Sequence, residues 1–355
     1  MSKKHFSWLL LLTLVVAGFV LLVPGKTGKE NIIEETRILP ELAAQVNDIE
    51  WLRIISAGDV SVATLRREEE AWIVEEAHGY RADWDRLRQL LTGLSQAEII
   101  EAKTSNPEYY QRLSVEDVSS ATAGGLKIEF SADSGLPALI VGKTAKGRDG
   151  QYVRLDDSAA SALLDRNLAV SGSRGDWLDK TIIDIADAEV VEVMIGHPDG
   201  DAVRISKISA DDENFDLQDI PEGREVNTEW TVNAPANALA ALSFDDVVPD
   251  SRLDWSGPVR FSLLTADGLH IEVDLTTIAG EDAVEPADEH WMRLTAGLYT
   301  TALESGERQV ATAPETAERA EIINARVAGW AYKIPKYKFD SMVKRMEDLL
   351  QPPEA

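Results

Sequence analysis

Residues 6–23 (FSWLLLLTLVVAGFVLLV) form one unbroken apolar run directly behind Lys3 and Lys4, and no other stretch of the chain is continuous in this way. At roughly 1.5 Å per residue such a run reaches about 27 Å as a helix, close to the roughly 30 Å hydrocarbon core of a bilayer. A cleaved signal would need an A-x-A-like pair of small residues just after a shorter apolar core. The best candidate, Val16-Ala17-Gly18, would leave the apolar residues 19–23 on the mature end. The pattern therefore predicts an uncleaved single-pass anchor over 1–25, and the polar, aromatic-poor segment 26–44 reads as a stalk.

Beyond residue 45 the pattern changes to short period-two alternations broken by turn residues and a few helical faces, which predicts an α+β fold of antiparallel sheet plus helices. Segments 49–56 and 60–66 read as a hairpin across Ala57-Gly58-Asp59, followed by a short strand Ala71-Trp72-Ile73-Val74. Asp83 is a good N-cap for a helix reaching Leu94, with Trp84, Leu87, Leu91 and Leu94 on one face. After a loop containing Pro107, strands are expected at 125–131, 138–141 and 151–155, and a small helix at 158–164.

The second half repeats that order, so two tandem related units are expected, 45–180 and 181–355. Segments 190–195 and 202–207 form a hairpin over His197-Pro198-Asp199-Gly200. Glu229-Trp230-Thr231-Val232 matches Ala71-Trp72-Ile73-Val74 as a strand before a helix, with Asn233 and Pro235 as the helix start. Segments 259–264, 269–275 and 291–294 then stand where three strands stood before. The expected equivalences are Trp72 with Trp230 and Tyr152 with Trp291. Two helices, 317–327 and 339–350, close the chain.

Charge narrows the class of partner. The chain carries 35 basic and 62 acidic residues, a formal net charge of −27. Without the four lysines of residues 1–29 the remainder is near −31. Such a body repels nucleic-acid phosphates, and nucleic-acid binding is not expected. Lys3 and Lys4 before the apolar run and Lys26 and Lys29 after it nearly balance the positive-inside comparison. The free amino terminus tips it towards a cytoplasmic N-terminus, with the body in the periplasm. The absence of cysteine permits an oxidising compartment and removes thiol catalysis.

Motifs that carry chemistry fail at defined positions. Gly142-Lys143-Thr144 lacks the glycine of a phosphate-binding loop, having Pro137 there, and Gly25-Lys26-Thr27 has Val20. Asp212, Asn214 and Asp216 open like a calcium loop, but Leu217 and Gly223 occupy the required glycine and acid positions. The histidines have no metal-ligand spacing, and Gly172-Ser173-Arg174-Gly175 is one residue short of a nucleophile elbow. No cofactor, metal or catalytic residue is expected. One candidate docking strip remains, made of Trp330, Tyr332, Lys333, Lys336, Tyr337 and Lys338, aromatic and basic within an acidic body. It reads as an edge strand before Pro335. In the alternative reading the aromatics fill the core of the second unit and the lysines face water.

Several of these features together resemble the bacterial family known as domain of unknown function 4340. The resembling residues are the anchor, Trp72, Gly142 before Gln151-Tyr152-Val153-Arg154-Leu155, Asp176-Trp177-Leu178-Asp179-Lys180, and the ending Gly329-Trp330-Ala331-Tyr332-Lys333-Ile334-Pro335-Lys336-Tyr337-Lys338 with its charged helix. The resemblance implies a membrane-tethered companion of an ABC transporter similar to the gliding-motility export type, with no catalytic residues to carry over. The expected function is thus a non-catalytic periplasmic accessory protein in the bacterial inner membrane. The alternatives are an anchored envelope hydrolase with a site between the units, or a small-ligand or polysaccharide-binding module using exposed tryptophans.

Overall fold

A computed structural model describes residues 37–69, 71–279, 288–299 and 314–352. The expected anchor at 1–25 lies outside the described residues, and among the described residues no helix is long and apolar enough to cross a membrane.

Where alternation was continuous the chain forms antiparallel sheet. β1 (Trp51–Ser56) and β2 (Val60–Glu68) make the first hairpin, turned by Gly58 and Asp59 with φ of 74° and 56°. β3 (Ala71–Val74), β4 (Tyr80–Arg81), β5 (Ile99–Ala102), β6 (Leu126–Phe130), β7 (Leu139–Thr144), β8 (Gln151–Leu155) and β9 (Ser161–Leu164) complete a nine-stranded sheet of order 4-3-2-1-6-7-8-9-5. A short pair, β10 (Thr181–Ile183) with β14 (Leu242–Ser243), lies between the sheets in the chain's course. β11 (Val190–Gly196), β12 (Ala202–Ser206), β13 (Asp216–Leu217), β15 (Asp246–Pro249), β16 (Val259–Thr265), β17 (Leu269–Ile278), β18 (Glu289–Leu298) and β19 (Trp330–Lys333) form the second sheet, of order 13-12-11-16-17-18-19-15. Set β4 aside, and the two orders correspond strand for strand.

The helices are α1 (Leu42–Gln45), α2 (Trp84–Gln96), α3 (Glu229–Asn233), α4 (Pro314–Val327), α5 (Lys336–Met342) and α6 (Met346–Leu349). In α2 the Asp83 carboxylate accepts from the Arg86 amide at 2.9 Å, and Leu87, Leu90, Leu91 and Leu94 are buried. Trp84 begins that helix and shares the spacing of the leucine face but is 51% exposed. One continuous apolar core runs from Ile38 to Leu350 and includes both sheets.

Several expectations are corrected. The stalk cannot extend to 44, because Leu39 and Leu42 are buried in the core and Arg37 bridges to Glu98. The helix expected at 158–164 is strand β9, which pairs with both β8 and β5 and buries Ser161 to Leu164. Glu229-Trp230-Thr231-Val232 is helical, because the Thr228 side chain caps the Thr231 amide and Glu229 sits in the first turn. Trp230 is therefore not the counterpart of Trp72, whose strand β3 corresponds in order to β13. Tyr152 and Trp291 do lie on corresponding strands, β8 and β18. The closing helix is broken into α5 and α6, because Asp348 caps the Arg345 amide at 2.9 Å and restarts the turn. This break seats Met342, Leu349 and Leu350 in the core. Finally, β19 is an interior strand between β18 and β15, and Pro335 falls after it at the start of α5.

Candidate functional site

The six residues of the expected docking strip do not share a surface. Tyr332 is fully buried, packed on Phe244 at 5.4 Å and Tyr80 at 6.1 Å between ring centroids. Burial first, and then the neighbouring Tyr80, raise its phenol pKa well above the ordinary value. Trp330 is half-buried, edge-on to Tyr80 at 5.0 Å. The Lys333 ammonium donates to Glu289 at 2.6 Å, and that bond holds the Glu289 carboxyl below its usual range. Lys338 donates to the Ala240 carbonyl at 2.7 Å, and burial lowers its pKa. Only Lys336, paired with Asp340 on its own helix, and Tyr337, 68% exposed, face outward. The first half of the strip is core, as in the alternative reading, and Lys336 and Tyr337 are the two of its six residues on the surface.

What that first half builds is the seam between the two sheets. Tyr80 of β4 meets Phe244 at 5.3 Å as well as Trp330 and Tyr332, three aromatic partners from the second half of the chain. Beside this box, Asp179 accepts from Arg81 at 2.9 Å and also from Arg326 of α4. Arg81 further donates to the Arg326 carbonyl at 2.7 Å and to the Tyr80 hydroxyl at 2.8 Å. On the far side Arg174 pairs with Asp246 at 3.1 Å, and Arg252 lies 3.2 Å from the His78 ring nitrogen. Desolvation, followed by the charges of Arg252 and Arg174, lowers the His78 pKa.

The segment Asp176-Trp177-Leu178-Asp179-Lys180 is central to this seam. Trp177 is fully buried, donates its indole N–H to the Ser171 carbonyl at 3.0 Å, and lies under the Arg86 guanidinium at 5.3 Å. Leu178 bridges to Ala82, and Asp179 holds the two arginines. Sequence reading singled out this segment as a resemblance only. Its role depends on Arg81 and Arg326, which lie 98 and 147 residues away along the chain.

The concavities among the described residues include two of different character. The larger, about 910 Å³, spreads over one face of the second sheet. Two adjacent rows of register partners line it: Arg204, Met194, Ser262, Glu272 and Thr295, then Ala202, Gly196, Arg260, Asp274 and Arg293. Charges there are paired across strands, Arg293 with Asp274 at 2.9 Å and Arg204 with Glu192 at 2.7 Å, while Met194 is 48% exposed. The smaller, about 630 Å³, opens at the seam between the start of α2 and the segment 175–181, with Arg326 on its far wall. Among the described residues no group of three or more His, Asp or Glu side chains is arranged to hold a metal ion.

Two antiparallel sheets on one core, joined through an aromatic box and a shared carboxylate, define an α+β body with a broad open sheet face. Residues 72–257 match the family described as Domain of unknown function (DUF4340), over half of the chain, and the protein belongs to that family. No curated protein and no solved structure matches the chain. The matched stretch covers Trp72, Gly142, Arg154 and Trp177, and each has a structural task. A Cβ on Gly142 would lie 2.3 Å from the Leu113 carbonyl oxygen. Arg154 is buried and donates to the carbonyls of Val115 at 2.8 Å and Ser158 at 3.1 Å.

Proposed function

We propose that this protein is a membrane-tethered, non-catalytic accessory subunit whose body works in the periplasm beside an ABC-type transport system. Three features support the reading. Residues 6–23 are apolar over a bilayer's width, the chain belongs to the DUF4340 family, and the body presents an open concave sheet face. The strand-for-strand correspondence of the sheets supports two related units within that body. The observation that carries the proposal furthest is the face of the second sheet, where ten residues in two rows combine charges, four of the five ion-paired, with small and hydroxyl side chains and the exposed Met194. Interfaces of this kind combine a desolvated apolar centre with a polar, pre-paired rim, and Met194 in such a setting adapts to a partner's shape. Lys336 and Tyr337 add a second exposed contact.

The test is affinity purification of the full chain from detergent-solubilised membranes, together with protease protection in spheroplasts. The expected results are a body cleaved only from the periplasmic side and co-purification of the membrane subunit of an ABC transporter. Substituting Met194→Glu together with Thr295→Arg should abolish that co-purification without loss of folded protein. A body protected from periplasmic protease, or a double variant that co-purifies the transporter undiminished, overturns the proposal.

A further inference from the structure

We infer that the polar cavity at the seam is a saccharide-binding site, in which the open indole of Trp84 stacks against the apolar face of a neutral sugar ring. The inference is independent of the transporter reading. It starts from an indole in an unusual place. Trp84 belongs by spacing to the leucine face of α2, yet it is 51% exposed, while Leu87 and Leu91 of that face are buried. It borders a cavity of about 630 Å³, within the size range of pockets that enclose small ligands, and such pockets favour junctions between units. An indole offers a large rigid apolar surface with a polar edge, which suits the mixed faces of a pyranose ring.

The rest of the lining supplies hydroxyl partners. Asp85 and Asp176 have side chains 82% and 45% exposed, so their carboxylates retain lone pairs to accept from sugar hydroxyls. Arg86 is held over Trp177 with its side chain 32% exposed at the cavity, where its terminal N–H groups can donate to a sugar oxygen. Lys180 reaches the same cavity and makes none of the ion pairs among the described residues. The charged lining is close to balanced, with Asp83, Asp85, Asp176 and Asp179 against Arg86, Lys180 and Arg326. A strongly charged ligand of either sign would meet like charge there, whereas a neutral polyol would donate to the carboxylates and accept from the cations. Arg326 comes from α4 and shares Asp179 with Arg81, so an occupied cavity would touch the contact that joins the units.

The test uses the full chain in a polyoxyethylene detergent, which carries no sugar. Maltotetraose, cellotetraose and chitotetraose are titrated by calorimetry and by the shift of the Trp84 indole N–H resonance, assigned with Trp84→Phe. At least one should bind and move that resonance. Trp84→Ala should weaken its binding by about tenfold or more, as expected for an anchoring aromatic. Lys180→Ala should weaken it severalfold. Trp230→Ala removes an even more exposed tryptophan, 80% open and away from the cavity, and should leave binding unchanged. Failure of all three saccharides to bind at millimolar concentration overturns the inference. So does binding that survives Trp84→Ala at full strength, or that falls equally with Trp230→Ala.

Discussion

Asp179 is one carboxylate serving two guanidiniums from different parts of the chain, and replacing it tests whether the seam holds the units together. Asp179→Ala would leave Arg81 and Arg326 facing each other across the space the carboxylate had filled. Two guanidiniums that shared one oxygen sit roughly 5–6 Å apart, and at an effective dielectric of about 20 their repulsion is about 3 kcal/mol. The side chains of Arg81, Asp179 and Arg326 are 24%, 29% and 36% exposed, so solvent screens part of this. A destabilisation of about 2 kcal/mol remains, between the worth of a surface pair and the cost of breaking a buried one. In a body of this size that corresponds to a fall in Tm of about 3–6 °C. The decisive assay is a double-mutant cycle with Arg326→Leu, read by urea unfolding. The Arg326 carbonyl, which accepts from Arg81 at 2.7 Å, is retained in that variant. Removing the second cation relieves the repulsion, so the double variant should be more stable than the sum of the singles by about 1–2 kcal/mol. Additivity within roughly 0.5 kcal/mol would refute the argument and make the cluster a solvated surface feature.

Other perturbations test separate parts of the account. Gly142→Ala should cost about 2–3 kcal/mol in urea unfolding, because the new Cβ would press on the carbonyl oxygens of Leu113 at 2.3 Å and Ser114 at 2.8 Å. Trp177→Ala should cost about 3–5 kcal/mol, whereas Trp230→Ala should stay within about 0.5 kcal/mol, a contrast that thermal melts of the two variants would show. For pH, desolvation lowers the pKa of both His78 and His290, with Arg252 and Lys336 respectively the next causes. Their folded pKa values thus lie below the unfolded value of about 6.5, so their neutral forms support the fold fully above that pH and the support is lost as pH falls below it. Replacing both by Gln should flatten the decline in urea midpoint between about pH 6.5 and 5.5; an unchanged slope would contradict the assignment.

Sequence order served well where the physics was local. The β1–β2 hairpin needed only alternation and Gly58-Asp59, and α2 needed only Asp83 and the spacing of Leu87, Leu91 and Leu94, so both were legible without tertiary knowledge, although Leu90 and not Trp84 completes the buried face. Local pattern misled where a distant partner decided the outcome. Residues 158–164 (SAASALL) are rich in helix formers, but β8 and β5 offer Ser161 to Leu164 two ladders, and a strand satisfies its backbone better. Thr231 and Val232 favour extended structure by propensity, yet the Thr228 cap starts a helix there. The strip at 330–338 admitted two readings, a docking surface or aromatics in the core, and alternation in β19 places Trp330 and Tyr332 on the face that Tyr80 covers from 250 or more residues away. The same long reach explains why the segment Asp176 to Lys180 carried no function when read alone. Its carboxylate and its buried indole acquire meaning only when Arg81, Arg86 and Arg326 arrive from β4, α2 and α4. The place where the two halves meet is therefore built from residues far apart in the chain, and the polar cavity beside Trp84 inherits that composite wall. A ligand seated there would sense the relative placement of the two sheets, which neither half could present by itself.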